Sequence, residues 1–239
     1  MPQSHRTLVL AFVWTLIWGE FVLFHLAWLA PRLGQWQWWL VSVLFYPVFV
    51  LLVASYYQAI TLPPGSPPTR DEEQLLEGTL EEIKGRARSY CFTCKTVKPV
   101  RTHHCSVCNA CVLRMDHHCP WVGNCVGLHN HKVFLLFLGY ATADLSFIFV
   151  VMLADQMVEG FTPLALVTMG VGGCLALAIG FLLAGQLLNF WRGITTLESF
   201  TRGMDRSGVF CRGGLCANLS EVMGSGAWWM PFDQAFSHD

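Results

Sequence analysis

Charge is what this chain has least of. Only 13% of its 239 residues are Asp, Glu, Lys or Arg, against 54% hydrophobic, and the net charge is −1. A soluble domain carries about 25% charged residues, so an ordinary soluble fold is excluded. The near-neutral balance implies no nucleic-acid partner. No repeat of 20–50 residues is found, which excludes a solenoid. From Cys91 to His131 there is little helical or strand periodicity, so metal rather than a hydrophobic core is expected to hold that stretch.

What is present are four apolar runs, Thr7–Ala30, Trp38–Ile60, Val133–Met157 and Pro163–Trp191. Each reaches the roughly 20 residues that cross a bilayer. The first is too long for a signal-peptide core and has no small-residue cleavage site, so it reads as a retained anchor. Between the second and third runs lie nine Lys and Arg residues, from Arg70 to Lys132, whereas the other two connections contain only Arg32. Arg202, Arg206 and Arg212 follow the fourth run. The positive-inside rule then puts the central loop and both termini in the cytosol.

The expected fold class is a mainly α membrane protein: four transmembrane helices, with a cytosolic zinc-bound Cys-rich domain between helices two and three. The expected domains are helices 1 and 2 (1–62), a cytosolic linker (63–90), the Cys-rich domain (91–131), helices 3 and 4 (132–192) and a cytosolic C-terminal segment (193–239). The second run contains Pro47 and exits through Leu62-Pro63-Pro64-Gly65, a stiff turn. Asp71–Glu82 reads as a solvated linker helix. Near the C-terminus, Trp228-Trp229-Met230-Pro231-Phe232 is read either as dipping into the membrane interface or as packing on the loop.

Seven of the ten cysteines fall between Cys91 and Cys125. In a reducing compartment such clusters bind metal or do chemistry more often than they form disulfides. The order is Cys91-x2-Cys94, His104, Cys105-x2-Cys108-x2-Cys111, His118 and Cys125. Zinc takes four thiolate or imidazole ligands in a tetrahedron, and a C-x2-C pair clamps it from a tight turn. Two CCHC sites use six cysteines and two histidines, so one thiol is spare. The spacing leaves open how the ligands divide.

Cys119 is the best candidate for the spare thiol. His117 is two residues away and Asp116 adjoins it. A cysteine nucleophile needs a thiolate, and an imidazole supplies one by accepting the proton. A carboxylate on the other ring nitrogen fixes the tautomer. Neighbours in sequence do not automatically meet, so the geometry must come from the metal-held loop.

The run Asp116-His117-His118-Cys119-Pro120-Trp121-Val122-Gly123-Asn124-Cys125 resembles the core of the DHHC protein S-acyltransferases (palmitoyltransferases). Lys98-Pro99-x-Arg101, Asn130 and Phe134 around it are similar as well. Thr195-Thr196-Leu197-Glu198 resembles the family's TTxE motif, and Phe210, Gly214 and Asn218 its C-terminal aromatic-Gly-Asn segment. One departure is Pro63-Pro64-Gly65 where the family usually has Asp-Pro-Gly, which puts the role of that turn in doubt. The resemblance implies one zinc on Cys91, Cys94, His104 and Cys111, and another on Cys105, Cys108, His118 and Cys125. It implies Cys119 as nucleophile, His117 as base and Asp116 as its orienter. The activity implied is transfer of a long-chain acyl group, such as palmitoyl, from acyl-CoA to protein cysteines by a ping-pong route. Lys98, Arg101 and Lys132 are candidates for the CoA phosphates, the alternative being that they simply mark the cytosolic side. The implied partners are the bilayer, acyl-CoA and membrane-associated proteins with cytosolic cysteines, at an endomembrane (Golgi or endoplasmic reticulum) ahead of the plasma membrane. With no ankyrin-type array, substrate choice is expected to depend on membrane proximity.

The alternative is a non-catalytic membrane adaptor with a zinc-stabilised loop, which would need the ligands but neither Asp116 nor Cys119. A transporter fits less well, since no runs show paired breaks or a path of ionisable residues. Asp144, Glu20 and His25 fall inside the spans, where ionisable groups are costly. Asp144 is 12 residues past Lys132, roughly 18 Å along a helix, about the reach of a sixteen-carbon chain. If it faces an acyl cavity it shortens the preferred chain unless paired; the plainer reading is a hydrogen bond to a neighbouring helix. Cys174 and the glycines of the fourth run, Gly170, Gly172, Gly173 and Gly180, are read as packing residues. Cys211 and Cys216, in the tail, are read as packing or surface residues, with acylation of these thiols as the alternative.

Overall fold

The computed structural model describes residues 3–68, 89–200, 215–224 and 227–231. The linker 71–82, Arg70, Lys84, Arg86, Arg88, the tail arginines, Phe210, Cys211, Gly214, the Cys216 side chain and Phe232 lie outside it. Helix α1 runs Gln3–Phe24 and continues through a π-turn, His25–Leu29, and a 3-10 turn, Ala30–Arg32. The widened turn lies just ahead of Pro31, whose ring cannot follow a regular α-helical turn. Helices α2 (Trp36–Thr61), α3 (His131–Glu159) and α4 (Pro163–Arg192) follow. At 1.5 Å per residue, 26 residues reach about 39 Å, enough for the roughly 30 Å hydrocarbon layer plus part of the interface. The four helices are long and apolar enough to cross a membrane, and each extends past its apolar run, α4 by Arg192 alone and the others by several residues.

Helix α3 is the axis of the bundle. Over half of its apolar stretch (56%) is buried, against 17% for α1 and for α4. It packs on α2 and α4, and α1 joins α2 through aromatic contacts, with Trp14 edge-on to Tyr56 at 4.9 Å and Phe21 against Phe49 at 4.5 Å. Small residues of α4 let neighbours approach. A Cβ at Gly173 would stand 3.1 Å from Phe149, and one at Gly172 would stand 3.3 Å from Glu20. Among the described residues nothing lies within 4 Å of a Cβ built at Gly170, and Cys174 is exposed, so neither packs against a described neighbour. His25 is held within the bundle, with Nδ1 on the Phe21 carbonyl at 2.7 Å and Nε2 on the Tyr46 hydroxyl at 2.9 Å.

Six three-residue strands make three antiparallel hairpins between α2 and α3. They are β1 (Ser89–Cys91) with β2 (Thr96–Lys98), β3 (His103–Cys105) with β4 (Ala110–Val112), and β5 (His117–Cys119) with β6 (Asn124–Val126). Strands this short show no readable alternation, which is why the stretch looked aperiodic. An apolar cluster of Val112 and Met115 with Cys105 and Cys125 backs them, and Val122 and Val126 join the main core.

The hairpins are seated on the helix ends. The Asn124 side chain donates to the carbonyls of Ala59 (3.3 Å) and Leu62 (2.8 Å), and the Tyr56 hydroxyl donates to the Trp121 carbonyl at 3.0 Å. Asn130 accepts from the Gly127 N–H and donates to the Cys125 carbonyl. The Pro63-Pro64-Gly65 turn takes part. The Pro64 and Gly65 carbonyls accept from the N–H groups of His129 and Leu113, both at 3.1 Å. Gly65 has φ +93 and lies against the His129 ring, where a Cβ would be 3.1 Å away, so a side chain there meets both strain and crowding. This turn docks the hairpins with Pro63 in the place where the family usually has an acidic residue.

Gly193, in the left-handed region at φ 70, ends α4. A short helix, α5 (Thr196–Phe200), follows directly, and α6 (Leu215–Met223) places Val222 against Leu135 and Phe190. Asn218 donates to the Phe190 carbonyl at 2.7 Å. The Tyr140 hydroxyl donates to the Trp229 carbonyl, which ties the backbone of the tail to α3, while the Trp228 and Trp229 side chains are exposed.

Candidate active site

The strand register assembles the metal-ligand candidates. His104 lies across from Cys111, and His118 across from Cys125, so each hairpin partner pair presents an imidazole beside a thiol. Each pair meets the C-x2-C turn of the preceding hairpin. Cys91, Cys94, His104 and Cys111 form one cluster, and Cys105, Cys108, His118 and Cys125 the other, with all ligand atoms of a cluster within 4.8 Å of one another. His104 Nδ1 is 3.6, 3.3 and 4.0 Å from the sulfurs of Cys91, Cys94 and Cys111. His118 Nδ1 is 3.7, 3.4 and 3.5 Å from those of Cys105, Cys108 and Cys125.

Tetrahedral zinc with Zn–S near 2.3 Å and Zn–N near 2.05 Å demands S···N separations of about 3.6 Å and S···S of about 3.8 Å. The clusters meet that spacing. Burial, reinforced by the neighbouring thiols, pushes Cys111 up to about 12 and Cys125 above the usual thiol range. A divalent cation removes that penalty by holding the groups as thiolates. Both donor sets therefore fit zinc, and neither leaves a vacant ligand position.

Cys119 belongs to neither cluster. Side chains alternate along a strand, so in β5 His117 and Cys119 share one face while His118 points to the other, toward its cluster. The His117 imidazole and the Cys119 thiol are near enough for the thiol to favour charge on the ring. Its Nδ1 faces Asp116 Oδ2 at 2.7 Å, which leaves Nε2 for the sulfur. Phe134 packs edge-on against the imidazole at 5.2 Å. Asp116 is buried, with 1% of its side chain exposed. Burial disfavours its charge, but His131, His117 and the Thr196 N–H outweigh that and hold the carboxyl well below the usual carboxylate range. Burial likewise opposes charge on His117, yet the hydrogen bonds and charges of Asp116 and Cys119 raise it to about 9. An imidazole so placed accepts and holds a proton beside a thiol.

Residues 84–203, half of the chain, match the family described as DHHC palmitoyltransferase. The chain belongs to this family. It is 34% identical over 219 residues to Palmitoyltransferase ZDHHC15 of Xenopus laevis, covering 76% of this chain and 64% of that protein. It is 35% identical over 211 residues to Palmitoyltransferase pfa3 of Aspergillus fumigatus, covering 79% and 38%. With Palmitoyltransferase ZDHHC20-B of Danio rerio the identity is 31% over 226 residues, covering 79% and 70%. The chain thus spans less than two thirds of the first two relatives.

In this member of the DHHC family the segment after α4 cradles Asp116. The Thr196 N–H donates to Asp116 Oδ1 at 2.7 Å, and the Leu197 N–H to the Asp116 carbonyl at 3.0 Å. Thr195 and Glu198 form a capping box. The Glu198 N–H donates to Thr195 Oγ1 at 3.3 Å, and the Thr195 N–H to Glu198 Oε2 at 2.9 Å. Gln186 of α4 donates through Nε2 to Asp116 Oδ2 and to Thr196 Oγ1, both at 3.0 Å. Its Oε1 accepts from His131 Nε2 at 3.4 Å. Neither Gln186 nor His131 stood out in the sequence. A lone glutamine near the end of an apolar run was the available signal.

The three basic candidates for CoA differ in their surroundings. Arg101 donates from Nε and Nη2 to the two Glu198 oxygens at 2.9 and 2.8 Å, and from Nη2 to the Gly193 carbonyl. Its side chain is 8% exposed, and its guanidinium is engaged by the cap of α5. Lys132 is buried at the start of α3, whereas Lys98 is partly open.

Proposed function

We propose that this protein is a protein S-acyltransferase that carries a long-chain acyl group, palmitoyl by the family's name, from acyl-CoA to protein cysteines. The observation that carries this reading is the line Asp116–His117–Cys119, whose thiol is the one cysteine of the 91–125 stretch outside both metal-fitting clusters. The zinc-held hairpins are scaffold, with Cys91, Cys94, His104, Cys111, Cys105, Cys108, His118 and Cys125 as ligands.

In the first half-reaction the Cys119 proton passes to His117 Nε2 and Sγ attacks the thioester carbon. The bond to the CoA sulfur breaks, and CoA leaves as the thiol, taking the proton from His117. In the second half-reaction a substrate cysteine gives its proton to His117 and attacks the acyl carbon. Cys119 leaves as a thiolate and recovers the proton. Asp116 keeps Nδ1 protonated and steadies the imidazolium. Thioester exchange is close to isoenergetic, so the protein's task is to position thiols and exclude water. Cys119 is 4% exposed and packs in the main core with α2 and α3 residues, a setting in which an acyl chain can lie among the helices. Each methylene buried contributes about 0.8 kcal/mol.

The Cys-rich domain and both termini face the cytosol, at an endomembrane, where acyl-CoA and substrate thiols are found. Lys98 meets a CoA phosphate. The adaptor alternative gives no use to a carboxylate that accepts three side-chain and backbone hydrogen bonds beside a spare thiol. Steady-state kinetics with acyl-CoA and a cysteine peptide test the reading. Parallel double-reciprocal lines and no transfer by Cys119→Ser are expected. Intersecting lines, or transfer by that variant, overturn it.

A further inference from the structure

The hairpin that carries Cys119 has the same backbone plan as the two that carry metal ligands. Cys91, Cys105 and Cys119 follow one another at 14-residue intervals. Each ends the first strand of its hairpin, and each lies across from the residue five positions on, Thr96, Ala110 and Asn124. Four residues after each of these cysteines the chain enters the left-handed region, at Lys95 (φ 54), Asn109 (φ 52) and Gly123 (φ 59). The preceding histidines repeat as well, His103-His104 and His117-His118.

One position breaks the pattern. Three residues after the leading cysteine stand Cys94, Cys108 and then Val122. In the first two hairpins the N–H of that residue donates to the leading sulfur at 3.4 Å, and its own thiol completes the clamp of a metal-fitting cluster. In the third the side chain is an isopropyl group, fully buried in the same core cluster as Cys119.

We propose that the Cys119 hairpin is a zinc-binding turn deprived of its second thiolate, and that Val122 is the residue that keeps Cys119 out of a metal site. This rests on reading Cys119 as the acyl carrier. The hazard is chemical. A thiol beside an imidazole, in a fold built to present thiols to zinc, is one donor short of a three-ligand soft-metal site. A thiolate bound to zinc has its lone pair engaged and attacks a thioester poorly. Valine supplies the bulk that the turn needs and no donor. Cysteine is close to it in size, so Val122→Cys adds the missing ligand with little change of packing.

The test is the zinc content of the purified full chain, kept reduced, alongside formation of the acyl-enzyme from palmitoyl-CoA. Wild type and Val122→Ala are expected to hold two zinc ions per chain, and Val122→Cys three. Acyl-enzyme formation by Val122→Cys should fall by roughly tenfold or more and return when a mild chelator removes only the third ion. Val122→Cys with two zinc ions and wild-type acylation overturns the proposal. So does a loss of acylation that chelation does not reverse. The double variant Val122→Cys/Cys119→Ser should return to two zinc ions. If Cys119 is not the acyl carrier, wild-type acylation survives Cys119→Ser while the zinc counts still follow the proposal, so the two failures are distinguishable.

Discussion

Arg101 and Glu198 face each other as a two-pronged pair, Nε to Oε1 at 2.9 Å and Nη2 to Oε2 at 2.8 Å, with side chains 8% and 3% exposed. The pair joins the hairpin region to the cap of α5, and that cap holds Asp116. Removing one partner of a buried ion pair costs about 3–5 kcal/mol. Arg101→Gln should lower the thermal midpoint and reduce acyl-enzyme formation without a selective rise in KM for acyl-CoA. Arg101→Lys should restore little, because an ammonium cannot reproduce the fork. A change confined to the acyl-CoA KM would return Arg101 to the phosphate role.

His117 and His118 are neighbours with opposite loyalties, one facing Cys119 and the other the second metal-fitting cluster. His117→Ala should keep two zinc ions and a near-native melting temperature while acyl transfer falls by about 10²–10⁴-fold. His118→Ala should lose one zinc equivalent and unfold at lower temperature. Metal analysis with thermal unfolding checks both. Equal zinc loss in the two variants would refute the division.

Gln186 gives Asp116 one of its hydrogen bonds from α4. A hydrogen bond to a charged group contributes about 1.5–3 kcal/mol, so Gln186→Leu should slow acyl-enzyme formation roughly ten- to hundredfold with two zinc ions retained. Gln186→Glu, which sets a second carboxyl against Asp116, should be worse than Leu. If Leu and Glu leave the acylation rate unchanged, Gln186 does not position Asp116.

Asp144 and Glu20 are both buried within the bundle, one from α3 and one from α1. Where such groups stand at the end of an acyl path, long chains are disfavoured. Asp144→Leu should shift the acyl-CoA preference toward longer chains, measured as relative acyl-enzyme formation from twelve- to eighteen-carbon donors. Identical profiles for wild type and variant would remove Asp144 from chain selection.

How far the site could be read from sequence depended on how local each cause is. The spans were legible because about 20 apolar residues in a row have few other uses. The spare thiol was legible from ligand arithmetic. The division of ligands was not, since His104 with Cys111 and His118 with Cys125 are cross-strand pairs set by hairpin register. The 14-residue period of Cys91, Cys105 and Cys119 was visible but lies below the 20–50-residue periods of repeat folds. Arg101 looked like a cytosolic charge because its partner is 97 residues away. The Gln186–Asp116 contact spans 70 residues and has no local signature.

The most direct test maps the acyl adduct. Reduced protein is incubated with palmitoyl-CoA, digested at neutral pH, and its cysteine peptides are read by mass spectrometry before and after hydroxylamine. The account predicts a hydroxylamine-sensitive palmitoyl group on the Cys119 peptide, absent in Cys119→Ser and unchanged in Cys174→Ser. An adduct that persists in Cys119→Ser, or that sits on a cysteine of either metal-fitting cluster, would contradict it.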